Sequence, residues 1–182
     1  MFMHIKKLRY YQIFSVIFTS ILGSLLHFTY QWTGENPIVA AFVAVNESTW
    51  EHLKLLFFPM LLTTIIGYFI FKKQYPNFVC SKTIGIITAI SFTVIFFYTY
   101  TGILGRNISI IDISSFFVAT IIGEFVSYLL IVNNFKCDNK IAIILLIVLF
   151  IFFVMFTYFT PKIGLFKDPI TGEYGIINNK RL

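Results

Sequence analysis

The sequence predicts an all-α membrane protein: a polytopic transmembrane helix bundle of five spans, with a short re-entrant or interfacial helix between the first two. Three observations carry this reading. Of 182 residues, 58% are apolar and only 12% charged, where soluble domains run about 45–50% and about 25%. So little charge cannot cover a globule of this size with solvated groups, and mean hydropathy is +0.84. That excludes a soluble enzyme, a disordered tail and a nucleic-acid binder with its basic surface in water. Second, the apolar stretches reach the roughly 20 residues a helix needs to cross the hydrocarbon core. Third, lysine and arginine gather in alternate connections between them, as they do on the cytoplasmic side of membrane proteins. Residues 1–182 read as one transmembrane domain ending in a tail at 161–182.

The first span covers about residues 10–30, behind Lys6, Lys7 and Arg9. Its apolar stretch is too long for a signal-peptide core and no A-x-A-like cleavage site follows, so it is read as retained. Residues 31–35 form a polar connector with Trp32 at the interface. Asn36 followed by Pro37 is a helix start, a side-chain cap before a residue whose φ is already helical. The apolar run behind it, 38–45, is too short to cross a bilayer. It must pack on protein or line a polar cavity, because its open backbone ends cannot face lipid.

The second span covers about 48–71. Ser48 and Glu51 have capping-box spacing, and Pro59 removes one helical hydrogen bond, which predicts a kink. The third span covers about 83–103, the fourth about 112–132 with Asp112 as its cap and Arg106 nearby, and the fifth about 140–160, stopped by Pro161. The tail carries turn signals at Asp168-Pro169 and Thr171-Gly172. No internal repeat is seen, which leaves an inverted-repeat transporter unsupported.

Counting lysines and arginines orients the chain. Lys6, Lys7, Arg9, Lys72, Lys73, Lys82, Lys136 and Lys140 fall on one side, against Arg106, Lys162, Lys167, Lys180 and Arg181 on the other. The excess puts the N-terminus in the cytoplasm and the C-terminus outside. Cys80 and Cys137 then lie in cytoplasmic loops, where thiols stay reduced. Two cysteines this far apart make no disulfide framework.

Seven of the eight acidic residues, Glu35, Glu47, Glu51, Asp112, Glu124, Asp168 and Glu173, fall outside or within the membrane. Ionisable groups inside spans face the bundle interior or a wet cavity and mark candidate sites. At about 100° per residue, Glu47, Ser48, Glu51, His52 and Lys54 share an arc of about 160° at the start of the second span. A plain helix start would use one carboxylate as a cap and pair Lys54 with Glu51; here a second carboxylate and His52 are added. Glu124 falls about 18 Å into the fourth span at 1.5 Å per residue, near mid-membrane, and His27 lies one turn from the outer end of the first. The metal-motif spacings H-E-x-x-H and E-x-x-H are absent, and so is a cysteine ligand pair. No metal is assigned on sequence, no cofactor is expected, and a divalent metal is a minor reading.

Two stretches carry a resemblance. One is Asn36-Pro37-Ile38-Val39 leading into Val45-Asn46-Glu47-Ser48-Thr49-Trp50-Glu51-His52-Leu53-Lys54 and ending at Pro59. The other is the tail, with Asp168-Pro169-Ile170-Thr171-Gly172-Glu173-Tyr174-Gly175. Together they resemble an uncharacterised family of small polytopic membrane proteins of low-GC Gram-positive bacteria, a domain of unknown function that carries no activity over. The resemblance implies a bacterial plasma-membrane protein in which the outer loop, the start of the second span and the tail belong together.

The expected role is binding or transport of a small molecule or cation in an outer-facing polar cavity lined by Glu47, Glu51, His52, Lys54, Glu124 and His27. A rival reading is a membrane enzyme on a lipid or lipid-linked substrate, with Glu51 and His52 as acid and base. A third is an accessory subunit of a membrane complex. Membrane lipids are expected partners; nucleic acid is not.

Overall fold

The computed structural model describes residues 2–176, all helix, turn and loop apart from one isolated β-bridge between Lys167 and Tyr174. In chain order the helices are α1 (Phe2–Trp32), α2 (Pro37–Ala40), α3 (Thr49–Phe71), α4 (Phe78–Leu104), α5 (Ser109–Val132) and α6 (Asn139–Tyr158), followed by a 3-10 turn at Gly164–Phe166. Five of them, all but α2, are long and apolar enough to cross a membrane. The protein is a multi-pass membrane protein, and its spans alternate in direction. The end of α1, α2, the start of α3, the α4–α5 turn and the tail share one end of the bundle. The connections α3–α4 and α5–α6 share the other.

α3 is the central helix, with 61% of its apolar window buried, whereas α6 buries 22% and turns most of its surface to lipid. Packing runs α4 on α5, α1 on α3, α3 on α4 and α1 on α5, with α6 laid against α4. Without a hydrophobic force between helices in lipid, close approach depends on small residues. Gly85 and Gly123 supply it between α4 and α5: a Cβ on either would come within 2.4–2.6 Å of the other's carbonyl oxygen. Gly23 does the same between α1 and α3, where a Cβ would stand 2.5 Å from the Leu55 carbonyl oxygen. That carbonyl is the one Pro59 leaves without its helical donor, since proline at i+4 has no N–H.

Local starts and stops follow from the residues. Asn36 caps α2 by accepting from the amides of Ile38 (2.9 Å) and Val39 (3.4 Å). Ser48 caps α3 by accepting from the Glu51 amide at 3.4 Å. α1 ends in a Schellman arrangement, with Glu35 N–H donating to the Tyr30 carbonyl (2.9 Å) and Gly34 N–H to that of Gln31 (3.1 Å). Gly34 and Glu35 both take the left-handed region, at φ 66° and 60°.

The structure corrects several expectations. Lys82 is not a loop residue: it sits in the second turn of α4, fully buried, because a carboxylate on α5 waits for it. Asp112 is not the cap of α5, whose N-cap is Ile108; it lies in the first turn and accepts from the Tyr100 hydroxyl and from Asn107 Nδ2 (3.2 Å), while Arg106 is exposed. Trp50 packs among the rings of Phe153, Phe156 and Phe166 with centroids 4.6–5.6 Å away, clamping the tail to α3 and α6. Cys80 and Cys137 are joined in a disulfide with Cα atoms 6.2 Å apart. Sequence distance hid this, because the α5–α6 connection folds across the start of α4, where Asn139 Oδ1 accepts from the Cys80 amide (3.0 Å).

Candidate functional site

The residues singled out in the sequence fall into three separate places. At the α1 end of the bundle, His27 on α1 and His52 on α3 face the same carboxylate. His27 Nε2 lies 3.8 Å from Glu47 Oε1, and His52 Nε2 lies 3.4 Å from Glu47 Oε2. The two imidazole rings are 5.2 Å apart. Antiparallel packing of α1 on α3 brings the histidines together. Glu47, in the loop before α3, is held between them because its own amide donates to Asp168 Oδ2 at 3.3 Å. His52 Nδ1 sits 3.0 Å from the Ser48 carbonyl oxygen. A carbonyl only accepts, so Nδ1 carries the proton of the neutral ring and Nε2 presents its lone pair toward Glu47.

His27 and Glu47, but not His52, border a cavity of about 190 Å³ that is also lined by Tyr30, Glu35, Asn46 and Asp168 among others. The left-handed turn at Gly34 and Glu35 delivers the Glu35 carboxylate to its wall. The tail closes one side. Asp168, 3% exposed, accepts from the amides of Ile170 (2.7 Å) and Thr171 (3.1 Å) as well as that of Glu47. Asn46 Nδ2 donates to the Gly175 carbonyl at 2.8 Å.

Glu51 and Lys54 form a second, closed unit. Lys54 Nζ lies 2.5 Å from Glu51 Oε2 and donates to the Ala40 carbonyl and to Thr157 Oγ1, both at 2.9 Å. All three ammonium donors are used, which ties α2, α3 and α6 together. Glu51 Oε2 also accepts from the Val45 amide at 3.1 Å, so instead of reaching back in a capping box it pins the loop before α3. Glu51 and His52 therefore point to different surroundings, as adjacent helical positions about 100° apart must.

Glu124 belongs to a third place. Both its oxygens lie 2.5 Å from Lys82 Nζ. Ser15 Oγ donates to Oε1 at 2.7 Å, and the Gln12 amide, nitrogen turned inward, donates to Oε2 at 2.7 Å and accepts from Ser127 Oγ at 3.0 Å. Lys82 and Glu124 are 0% and 1% exposed. Ser15 is twelve residues below His27 on α1, about 18 Å at 1.5 Å per residue. Between the two levels Gly23 packs on the Leu55 carbonyl and Phe116. Glu124 thus does not floor the cavity at the His27 end.

Sequence reasoning missed Lys82, Gln12, Ser15, Thr63 and Ser127 around Glu124, and Asn46 beside Glu47. A carboxylate deep in a span demands a partner, so the demand was visible; the identity of the partner depends on helix register. The trapped end of the tail around Asp168 was signalled by its Asp-Pro turn.

A family model described as Family of unknown function (DUF6512) matches residues 1–176. No curated protein and no solved structure matches the chain.

Proposed function

The chain belongs to that family, whose function is unknown, and we propose from its own residues that it binds a small cationic ligand at the His27 end of the bundle. One observation carries this reading. The cavity there is walled by three carboxylates, Glu35, Glu47 and Asp168, beside His27, and among the described residues has no lysine or arginine in its lining. Asp168 is already satisfied by backbone amides, which leaves Glu35 and Glu47 to meet a guest. At about 190 Å³ the space suits an ion with its water or a small amine. The close packing at Gly23 separates this cavity from the Lys82–Glu124 pair, and that favours binding over passage through the bundle. With the N-terminus in the cytoplasm, as the lysine and arginine excess favours, the cavity opens on the outer face of a plasma membrane.

Thermal unfolding of the purified, detergent-solubilised full chain tests the reading. A panel of Na⁺, K⁺, Mg²⁺, Ca²⁺, Mn²⁺, Zn²⁺ and tetramethylammonium is expected to contain at least one cation that raises Tm in a saturable way, as any ligand of the folded state must. The rise is lost in the Glu35→Gln/Glu47→Gln double variant. No saturable rise with any of them overturns the proposal.

A further inference from the structure

We infer that His27, Glu47 and His52 form a binding site for one divalent transition-metal ion of the zinc class, with a fourth coordination position open toward the cavity. This rests on the cation-binding reading above and names the ligand. The candidate ligand atoms of the three residues all lie within 4.8 Å of one another. Bonds of about 2.0–2.2 Å in a tetrahedron place ligand atoms roughly 3.2–3.6 Å apart. The 3.4 Å separation from His52 to one Glu47 oxygen falls inside that range, and the 3.8 Å separation from His27 to the other lies just above it. The remaining contraction is small, and the side chains have room to make it, at 28%, 41% and 37% exposure for His27, Glu47 and His52.

Two of the three groups have the outer-shell support of a metal ligand, while His27 Nδ1 has no hydrogen-bond partner. The Ser48 carbonyl holds the proton of His52 on Nδ1 and leaves Nε2 bare, the outer-shell hydrogen bond that fixes a ligating histidine. The Asp168 contact to the Glu47 amide fixes the backbone that carries the carboxylate. With Nε2 bare, His52 and Glu47 face each other as lone pair to lone pair, an arrangement that a cation between them resolves. Two imidazoles and one carboxylate suit zinc and its first-row neighbours, whereas Mg²⁺ and Ca²⁺ take oxygen ligands. Three protein ligands with an open fourth place is the pattern of sites that hold water or substrate on the metal, against four closed ligands in structural zinc sites.

The test uses untagged full-length protein in detergent, stripped with EDTA and titrated with Co²⁺ as a spectroscopic probe. The expected result is one Co²⁺ per chain with visible absorption of a low-coordinate nitrogen and oxygen site, displaced by one Zn²⁺ and not by excess Mg²⁺ or Ca²⁺. His27→Asn, Glu47→Gln and His52→Asn each weaken Co²⁺ binding at least tenfold and keep the wild-type melting profile without metal. Glu51→Gln serves as a neighbouring carboxylate outside the ligand set and leaves the Co²⁺ spectrum unchanged in the protein that folds. No Co²⁺ spectrum in wild type, or one that persists in the His27→Asn/Glu47→Gln/His52→Asn protein, overturns the inference. If Zn²⁺ and Co²⁺ fail while tetramethylammonium or another cation of the panel still raises Tm, the metal site falls and the cation-binding cavity stands. If nothing binds, both fall.

Discussion

The residue with most at stake is Lys82. It is fully buried with both Glu124 oxygens at 2.5 Å, and Ser15 and Gln12 complete the carboxylate's hydrogen bonds. Removing one member of a buried pair leaves an uncompensated charge, which costs about 3–5 kcal/mol. Lys82→Met is therefore expected to lower Tm by about 6–20 °C, taking about 2–4 °C per kcal/mol for a chain of this size. Lys82→Met/Glu124→Gln removes both charges and leaves an amide that Ser15 and Gln12 can still satisfy, so it should recover most of the loss. Melting curves of the single and double variants in one detergent check this; equal losses in the two would mean that the charges do not act as a pair. The residue scale is also where sequence reading was weakest. Glu124 demanded a partner, but a lysine four residues into a helix looks the same on paper as a lysine in a loop. His27, Glu47 and His52 were visible as residue types, yet His27 is twenty residues from Glu47, and only the antiparallel contact of α1 with α3 makes them neighbours.

At the scale of elements the sequence was far more legible, because unbroken apolar stretches of about 20 residues have one stable form in lipid. The caps at Asn36 and Ser48 could be read for the same reason: a short polar side chain before a helix has one set of free amides to meet. Pairing between helices could not be read, since the small residues that permit it differ little in sequence from those that do not. Gly85, Gly123 and Gly23 lie in contact, whereas Gly102 has nothing within 4 Å of a Cβ. Gly85→Ala and Gly23→Ala push a methyl against a backbone carbonyl, and overpacking of that kind costs about 1–3 kcal/mol. Gly102→Ala adds a methyl in open space in a helix and should be neutral, or stabilise by up to about 1 kcal/mol. Ranking the three by unfolding midpoint tests the packing order; Gly85→Ala as mild as Gly102→Ala would argue that α4 and α5 do not approach there.

For the molecule as a whole, orientation in the membrane decides the meaning of both ends. With Lys82 inside the bundle, the sequence count becomes seven lysines and arginines on the N-terminal side against five on the other. The excess is smaller than the loop count suggested, though its sign is unchanged. The same end carries Cys80 and Cys137 within bonding distance, and a cytoplasmic face keeps such a pair reduced. The charge excess and a permanent disulfide thus make opposite demands, and the thiols become a reporter of topology. If the N-terminus is cytoplasmic, cells quenched in acid and denatured with a maleimide polymer should yield protein carrying two adducts. The same protein oxidised after purification should carry none and should melt higher, since a bond spanning 57 residues restricts the unfolded chain by up to about 4 kcal/mol. Protein that comes from cells already blocked to maleimide would place this end in an oxidising compartment. The chain would then be inverted, and the cavity at His27, Glu47 and His52 would draw its cation from the cytoplasm.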